Sequence, residues 1–135
     1  MKQPREIIDQ MYNNDAFSIW LGIKRLEEKA GYCRLSMQVR EEMTNGFGIA
    51  HGGITYSLAD SALAFASNSY GVQAVSIETS ISHTRPVKVG DMLTAEAVEL
   101  NKSTRLAIYE VRITNQQNTV VGLFKGTVFR TEKEW

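Results

Sequence analysis

The run Ile54–Ala66, ITYSLADSALAFA, presents apolar side chains on nearly every side of a helical wheel and carries Asp60 at its middle. A helix that is hydrophobic nearly all round must be covered on several sides. A carboxylate within it is costly unless it is paired, hydrogen-bonded or protonated. Ile54, Leu58, Leu63 and Phe65 cannot all face one sheet, while Ala59, Ala62, Ala66 and Ser67 form a small-residue surface suited to close approach of another helix. The expectation is that a second subunit covers the helix across a two-fold axis. The alternative is a helix wrapped by its own curved sheet.

The remaining segments supply that sheet. Pro4–Asn14 carries Ile7, Ile8, Met11 and Tyr12 at helical spacing, with Pro4 suited to a first turn. A loop containing Trp20 follows, then a strand from about Ile23. In GYCRLSMQVR, Cys33, Leu35, Met37 and Val39 alternate with polar residues, the pattern of a half-buried strand. After the helix, AVSIETSIS, MLTAEAVEL, LAIYEVRIT and TVVGLFKGTVFRT read as four strands. The signals between them, Val89-Gly90-Asp91, Asn101-Lys102-Ser103 and Asn115–Asn118, are short, which favours antiparallel neighbours. The order is helix, two strands, a long apolar helix and four strands, an α+β architecture with one antiparallel sheet.

A chain of 135 residues without linker or repeat is expected to form a single domain, 1–135. Fifteen basic and fifteen acidic residues cancel, so no global charge points to nucleic acid or an anionic membrane. The first residues lack the apolar core of a signal peptide, and no segment approaches a membrane span, so a cytoplasmic location is expected. Cys33 stands alone, which excludes an internal disulfide, and two separated histidines argue against zinc. No metal and no cofactor are expected.

The helix entrance holds the candidate chemistry. Gly52 and Gly53 leave backbone N–H groups open and admit another molecule closely. The helix N-terminus favours an oxygen that is becoming negative, as in acyl transfer. Asp60 lies seven residues past Gly53, about 10 Å along the axis at about 1.5 Å per residue, too far to serve its own Gly52. Two such helices packed antiparallel across a two-fold axis bring Asp60 of one near the entrance of the other. The competing reading makes Asp60 a structural carboxylate bonded to Ser57, Ser61 or a partner. Asn45 and His51 flank the loop NGFGIAH and either orient a carbonyl or a water or brace the loop. His83 reads as structural, Cys33 as an apolar filler, and Ser57 and Ser61 lack the setting of a hydrolytic nucleophile.

The pattern Asn45-x5-His51-Gly52-Gly53-x6-Asp60, followed by RPVKVGDMLTAEAVEL and NKSTRLAIYEVRI, resembles the hotdog-fold thioesterases. It is most similar to the phenylacetate-degradation (PaaI-type) acyl-CoA thioesterases, from about Gly22 to Arg130. The resemblance implies a hotdog fold, with an antiparallel sheet wrapped around a long central helix. It also implies joined sheets in a homodimer, sites at the interface, and further assembly into a homotetramer. Carried across, Gly52 N–H polarises the thioester carbonyl, and Asp60 of the opposite chain acts as nucleophile or general base. Asn45 and His51 position the carbonyl or the water, and Ser76 or Thr79 helps orient that water. For coenzyme A, Thr84, Arg85 and Pro86 match the stretch along the pantetheine arm. Lys102, Ser103 and Arg105 match a phosphate-binding turn, although that turn often carries glycine where this chain has Lys102 or Ser103.

Three readings remain distinct. A thioester is already activated, so a polarising amide and one carboxylate suffice to hydrolyse it without metal or cofactor. A hydratase on the same fold pairs its histidine with an acidic residue in another motif, whereas His51 is followed by Gly-Gly. An acyl-CoA sensor of this fold carries an added DNA-binding segment, for which about 20 residues before the first strand leave no room. Phe17, Trp20, Phe47 and Tyr56 either line an aryl or medium-chain acyl slot or belong to the core, the core being favoured for Trp20.

Overall fold

His51 starts the long helix earlier than its apolar run predicts. Its backbone is extended, its carbonyl accepts from Ile54 N–H, and its Nδ1 accepts from Gly53 N–H at 2.9 Å, so the helix opens at Gly52. The computed structural model describes residues 2–135. In it, helix α1 spans Pro4–Asn13, α2 Ala16–Leu21 and α3 Gly52–Asn68; strands are β1 Lys24–Lys29, β2 Tyr32–Gln38, β3 Val72–His83, β4 Met92–Lys102, β5 Leu106–Thr114 and β6 Val120–Glu134. The expected order holds, with one correction. The segment around Trp20 is a short helix, because Asp15 caps it by accepting from Ser18 N–H and Gly22 ends it in the left-handed conformation at φ 74°.

The six strands form one antiparallel sheet in the order β1-β2-β4-β5-β6-β3. Short links did not make all four later strands sequential neighbours: β3 crosses to the far edge and pairs with β6. Eight residues join β3 to β4, enough to cross the sheet end. The β4–β5 turn also comes later than expected, since Asn101 and Lys102 still pair with β5.

Helix α3 packs against β2 to β6, with α1 and α2 on its flank. Leu58, Ala59, Ala62, Leu63, Phe65 and Ala66 are buried inside the one chain, together with Cys33, Leu35, Met37 and Val39 of the alternating strand. Cys33 fills the core as expected, its thiol donating to Ala62 O. The sheet therefore curls around its own helix, and the apolar run alone does not require a second chain. Ala59, Ala62, Ala66 and Ser67 are consumed by this packing. The stripe left partly open is Gly53, Ser57, Asp60 and Ala64, also small but centred on the carboxylate.

The helix packs tightly on the sheet at Gly126 on β6. A methyl group there would lie 2.5 Å from Leu63 Cδ2. Gly126→Ala is expected to lower stability by about 1–3 kcal/mol through overpacking, measured by denaturant unfolding, whereas an unchanged midpoint would show that Leu63 can move aside.

Candidate active site

Two cavities flank α3, one at its entrance and one along its second half. The first, about 360 Å³, is lined by Asn45, Gly52, His83, Thr84, Arg85 and Pro86 among others. Its walls are tied together by Ala50 N–H donating to Val87 O, Thr84 N–H to Val121 O and Thr84 Oγ1 to Val120 O. Five residues singled out from the sequence thus meet in one place.

Within that cavity the donors are unevenly used. Gly53 N–H is taken by His51 Nδ1 and Ile54 N–H by His51 O, but Gly52 N–H donates to no group among the described residues. His51 is consequently a helix cap: with Nδ1 accepting, its neutral ring carries the proton on Nε2. Asn45 braces its loop through Oδ1, which accepts from Phe47 N–H at 2.9 Å and Ile49 N–H at 3.4 Å, while its Nδ2 has no partner among the described residues. Two N–H donors, one at a helix N-terminus, are therefore free to meet an anionic oxygen.

His83, read from the sequence as structural, stands beside this entrance. A methyl group on Gly52 would approach its Nε2 to 3.2 Å. Its place just before Thr84-Arg85-Pro86 was the available signal, but only the β3–β6 pairing delivers the end of β3 to the start of α3.

The second cavity, about 390 Å³, is lined by Asp60, Leu63, Ala64, Ser76, Val128 and Trp135 among others. Asp60 forms no ion pair and no side-chain hydrogen bond among the described residues. The two serines that the competing reading offers as its partners are engaged elsewhere, Ser57 Oγ donating to Gly53 O at 2.6 Å and Ser61 Oγ sharing a 2.8 Å hydrogen bond with Ser18 Oγ. Partial burial, reinforced by the nearby Asp15 carboxylate, raises the Asp60 carboxyl above the ordinary aspartate range. A half-buried, unpaired carboxylate of raised basicity is a poor structural element and a good proton acceptor. Of the two hydroxyls left open by the sequence, Ser76 shares this cavity, whereas Thr79 is hydrogen-bonded to Tyr56 Oη.

Asp60 and Gly52 of one chain open into different cavities, as the helical rise requires. Lys102, Ser103 and Arg105 meet neither. They sit at the β4–β5 turn, roughly 30 Å along β4 from the Pro86 side at about 3.3 Å per residue. There Arg105 bridges Glu132 at 2.6 Å, Lys102 Nζ lies 4.6 Å from the Tyr70 ring centroid, and Ser103 Oγ accepts from Leu106 N–H. Phe17 and Trp20 are not core: they stack on each other at 6.1 Å, about half exposed, with the Arg40 guanidinium 4.9 Å from the Trp20 ring centroid. Phe47 is 89% exposed on its loop, and Tyr56 packs edge-on against Phe124. Among the described residues no helix is long and apolar enough to cross a membrane.

Comparison with known proteins identifies the family and the fold. Residues 47–121 match the family model of the thioesterase superfamily. The acyl-coenzyme A thioesterase PaaI of Escherichia coli is 40% identical over 120 residues, 89% of this chain and 86% of that protein. The solved E. coli PaaI structure superposes with a TM-score of 0.95 over 97% of this chain and 95% of that one, at 37% identity. Human acyl-coenzyme A thioesterase 13 is 33% identical over 83% of this chain and 82% of its own length. A hypothetical thioesterase of Streptococcus pneumoniae, solved with coenzyme A, is 25% identical with a TM-score of 0.87 over 93% of this chain and 98% of that one. The chain belongs to the thioesterase superfamily, as a PaaI-type hotdog protein and a thioester hydrolase.

Proposed function

We propose that the protein hydrolyses an acyl-CoA, of aryl or medium-chain type, to the free acid and CoA-SH. The observation that carries this reading is the pairing of an unused Gly52 N–H at a helix entrance with an unpaired, raised-pKa Asp60 in the next cavity. Asp60 takes a proton from water held by Ser76. The resulting hydroxide attacks the thioester carbonyl carbon, and the oxyanion is met by Gly52 N–H and Asn45 Nδ2. The C–S bond then breaks, and the departing sulfur takes the proton from Asp60.

The site is shared between two subunits. The two sheet edges differ: β1, KRLEEK, is short and charged, whereas β3 is twelve residues long with Val75 55% and Ile77 59% exposed. Long, weakly charged edges pair with another chain unless they are protected. Antiparallel pairing of two β3 edges about a two-fold axis lays the Asp60 half of one helix toward the Gly52 entrance of the other. The open Gly53-Ser57-Asp60 part of the stripe lets the helices approach. The same operation carries the Lys102–Arg105 turn of one chain toward the Arg85 end of the other, where the CoA phosphates would leave the cavity. The homotetramer implied by the resemblance would be a pair of such dimers.

The test is thiol release from a panel of acyl-CoAs, read beside the solution mass. Turnover of aryl or medium-chain substrates by a dimer or larger assembly is expected. A stable, active monomer would remove the shared site, and absence of thiol release from every acyl-CoA would remove the reaction.

A further inference from the structure

Asp60, Ala64 and Asn68 lie on one face of α3, with Leu63 and Ser67 beside them, and all five line the second cavity. The eight steps from Asp60 to Asn68 give this face a length of about 12 Å at about 1.5 Å per residue. If Asp60 serves the thioester carbonyl, that carbonyl sits at the Asp60 end, and the CoA arm leaves by the entrance cavity of the other subunit. The first carbons of the acyl group then have this cavity before them, of about 390 Å³ and within the usual range for small-molecule pockets.

Trp135 lines its far end, beside Asn68. The indole Nε1–H donates to Asn68 Oδ1 at 2.9 Å, and Trp135 N–H donates to Gly71 O at 3.0 Å, so both ring and backbone are held. Asn68 is buried and saturated: Nδ2 donates to Ala64 O and Ala74 O, and Oδ1 also accepts from Ala74 N–H. Ser67 Oγ donates to Ala64 O. These polar groups face inward on their own backbone partners, and Met11, Leu63, Val128 and the indole supply apolar wall.

We propose that this cavity is the acyl slot and that Trp135 is its end wall, setting an upper length for an uncharged aryl or medium-chain acyl group. The proposal rests on the thioesterase reading above and adds to it the place of the acyl group and the residue that limits it.

The test measures kcat/KM for hexanoyl-, phenylacetyl- and lauroyl-CoA with wild type, Trp135→Ala and Ala64→Leu, each checked for melting temperature and solution mass. Trp135→Ala is expected to raise the lauroyl-to-hexanoyl ratio about tenfold or more, in line with the discrimination that a few methylenes provide. Ala64→Leu, which narrows the slot from the helix side, is expected to lower the phenylacetyl-to-hexanoyl ratio by a similar factor. An active wild type whose folded variants both keep its ratios would overturn the slot while leaving the hydrolysis standing. Should Trp135→Ala fail to fold, an unchanged ratio in Ala64→Leu suffices to overturn it. A wild type that releases no thiol from any of the three defeats the reaction itself.

Discussion

Asp60→Asn is expected to lower turnover of the preferred acyl-CoA by about 10²-fold or more while the protein folds and assembles normally, the loss typical of removing a general base. Asparagine keeps the shape of the side chain and cannot take a proton from water. The same change is expected to raise the melting temperature at neutral pH. Partial burial and Asp15 raise the carboxyl of Asp60 above its unfolded value. Over the interval between the two values the native state holds more protons than the unfolded chain, so stability falls as pH rises through it. Above the folded value the full cost of the unpaired carboxylate is present, and it is relieved as pH falls.

Asparagine removes the titration, so the variant should gain over wild type as pH increases from the ordinary aspartate range. In wild type, kcat/KM should fall on the acid side with an apparent pKa above the ordinary value of about 3.9. Thermal melts across pH and thiol-release kinetics on both proteins check the two halves. Equal turnover, or a less stable variant, would make Asp60 a structural residue.

Gly52→Pro is expected to reduce kcat/KM by about 10²–10³-fold, the loss seen when one oxyanion donor is removed. Proline at this position isolates the N–H from the fold. It is the first residue of α3, where proline is favoured, and its own N–H serves no intramolecular bond. His51 before it is extended at φ −61° and ψ 138°, the conformation a following proline requires. The ring carbon meets His83 Nε2 at 3.2 Å, a contact the histidine can relieve by a few tenths of an ångström. A folded, dimeric and inactive Gly52→Pro therefore reports on the amide.

Combining it with Asp60→Asn tests the shared site. If each site takes Gly52 from one chain and Asp60 from the other, a mixed dimer has one intact site and one doubly defective site. Random reassortment should then restore about a quarter of wild-type activity from two inactive proteins. If both residues came from one chain, no mixture would recover.

Much of the candidate site was legible because its signals are local. Gly52 at a helix start, a carboxylate within an apolar helix, and the distance between them follow from the helical rise and the burial cost of charge. The alternation around Cys33 and the runs of the later strands reported period-two faces in the same way, because side-chain direction is set by neighbouring residues. The segment Ala16–Leu21 escaped because its helix rests on a single cap and a terminal left-handed glycine, with too few turns to show periodicity.

What tertiary structure alone decided is which distant pieces meet. Short turns between β4, β5 and β6 predicted neighbours, but the placement of β3 beside β6 depends on closure of the sheet around α3, to which no local residue testifies. That pairing puts His83 at Gly52, ties Thr79 to Tyr56 and leaves Ser76 with Asp60. It also separates the Lys102–Arg105 turn from the same chain's entrance cavity. The elements long enough to show a period, and the chemistry each can offer, were readable from the chain because both depend on local spacing. Which face of the helix stays open, and which residue lines the far end of the cavity beside Asp60, were decided by packing, since both depend on contacts between residues far apart in sequence.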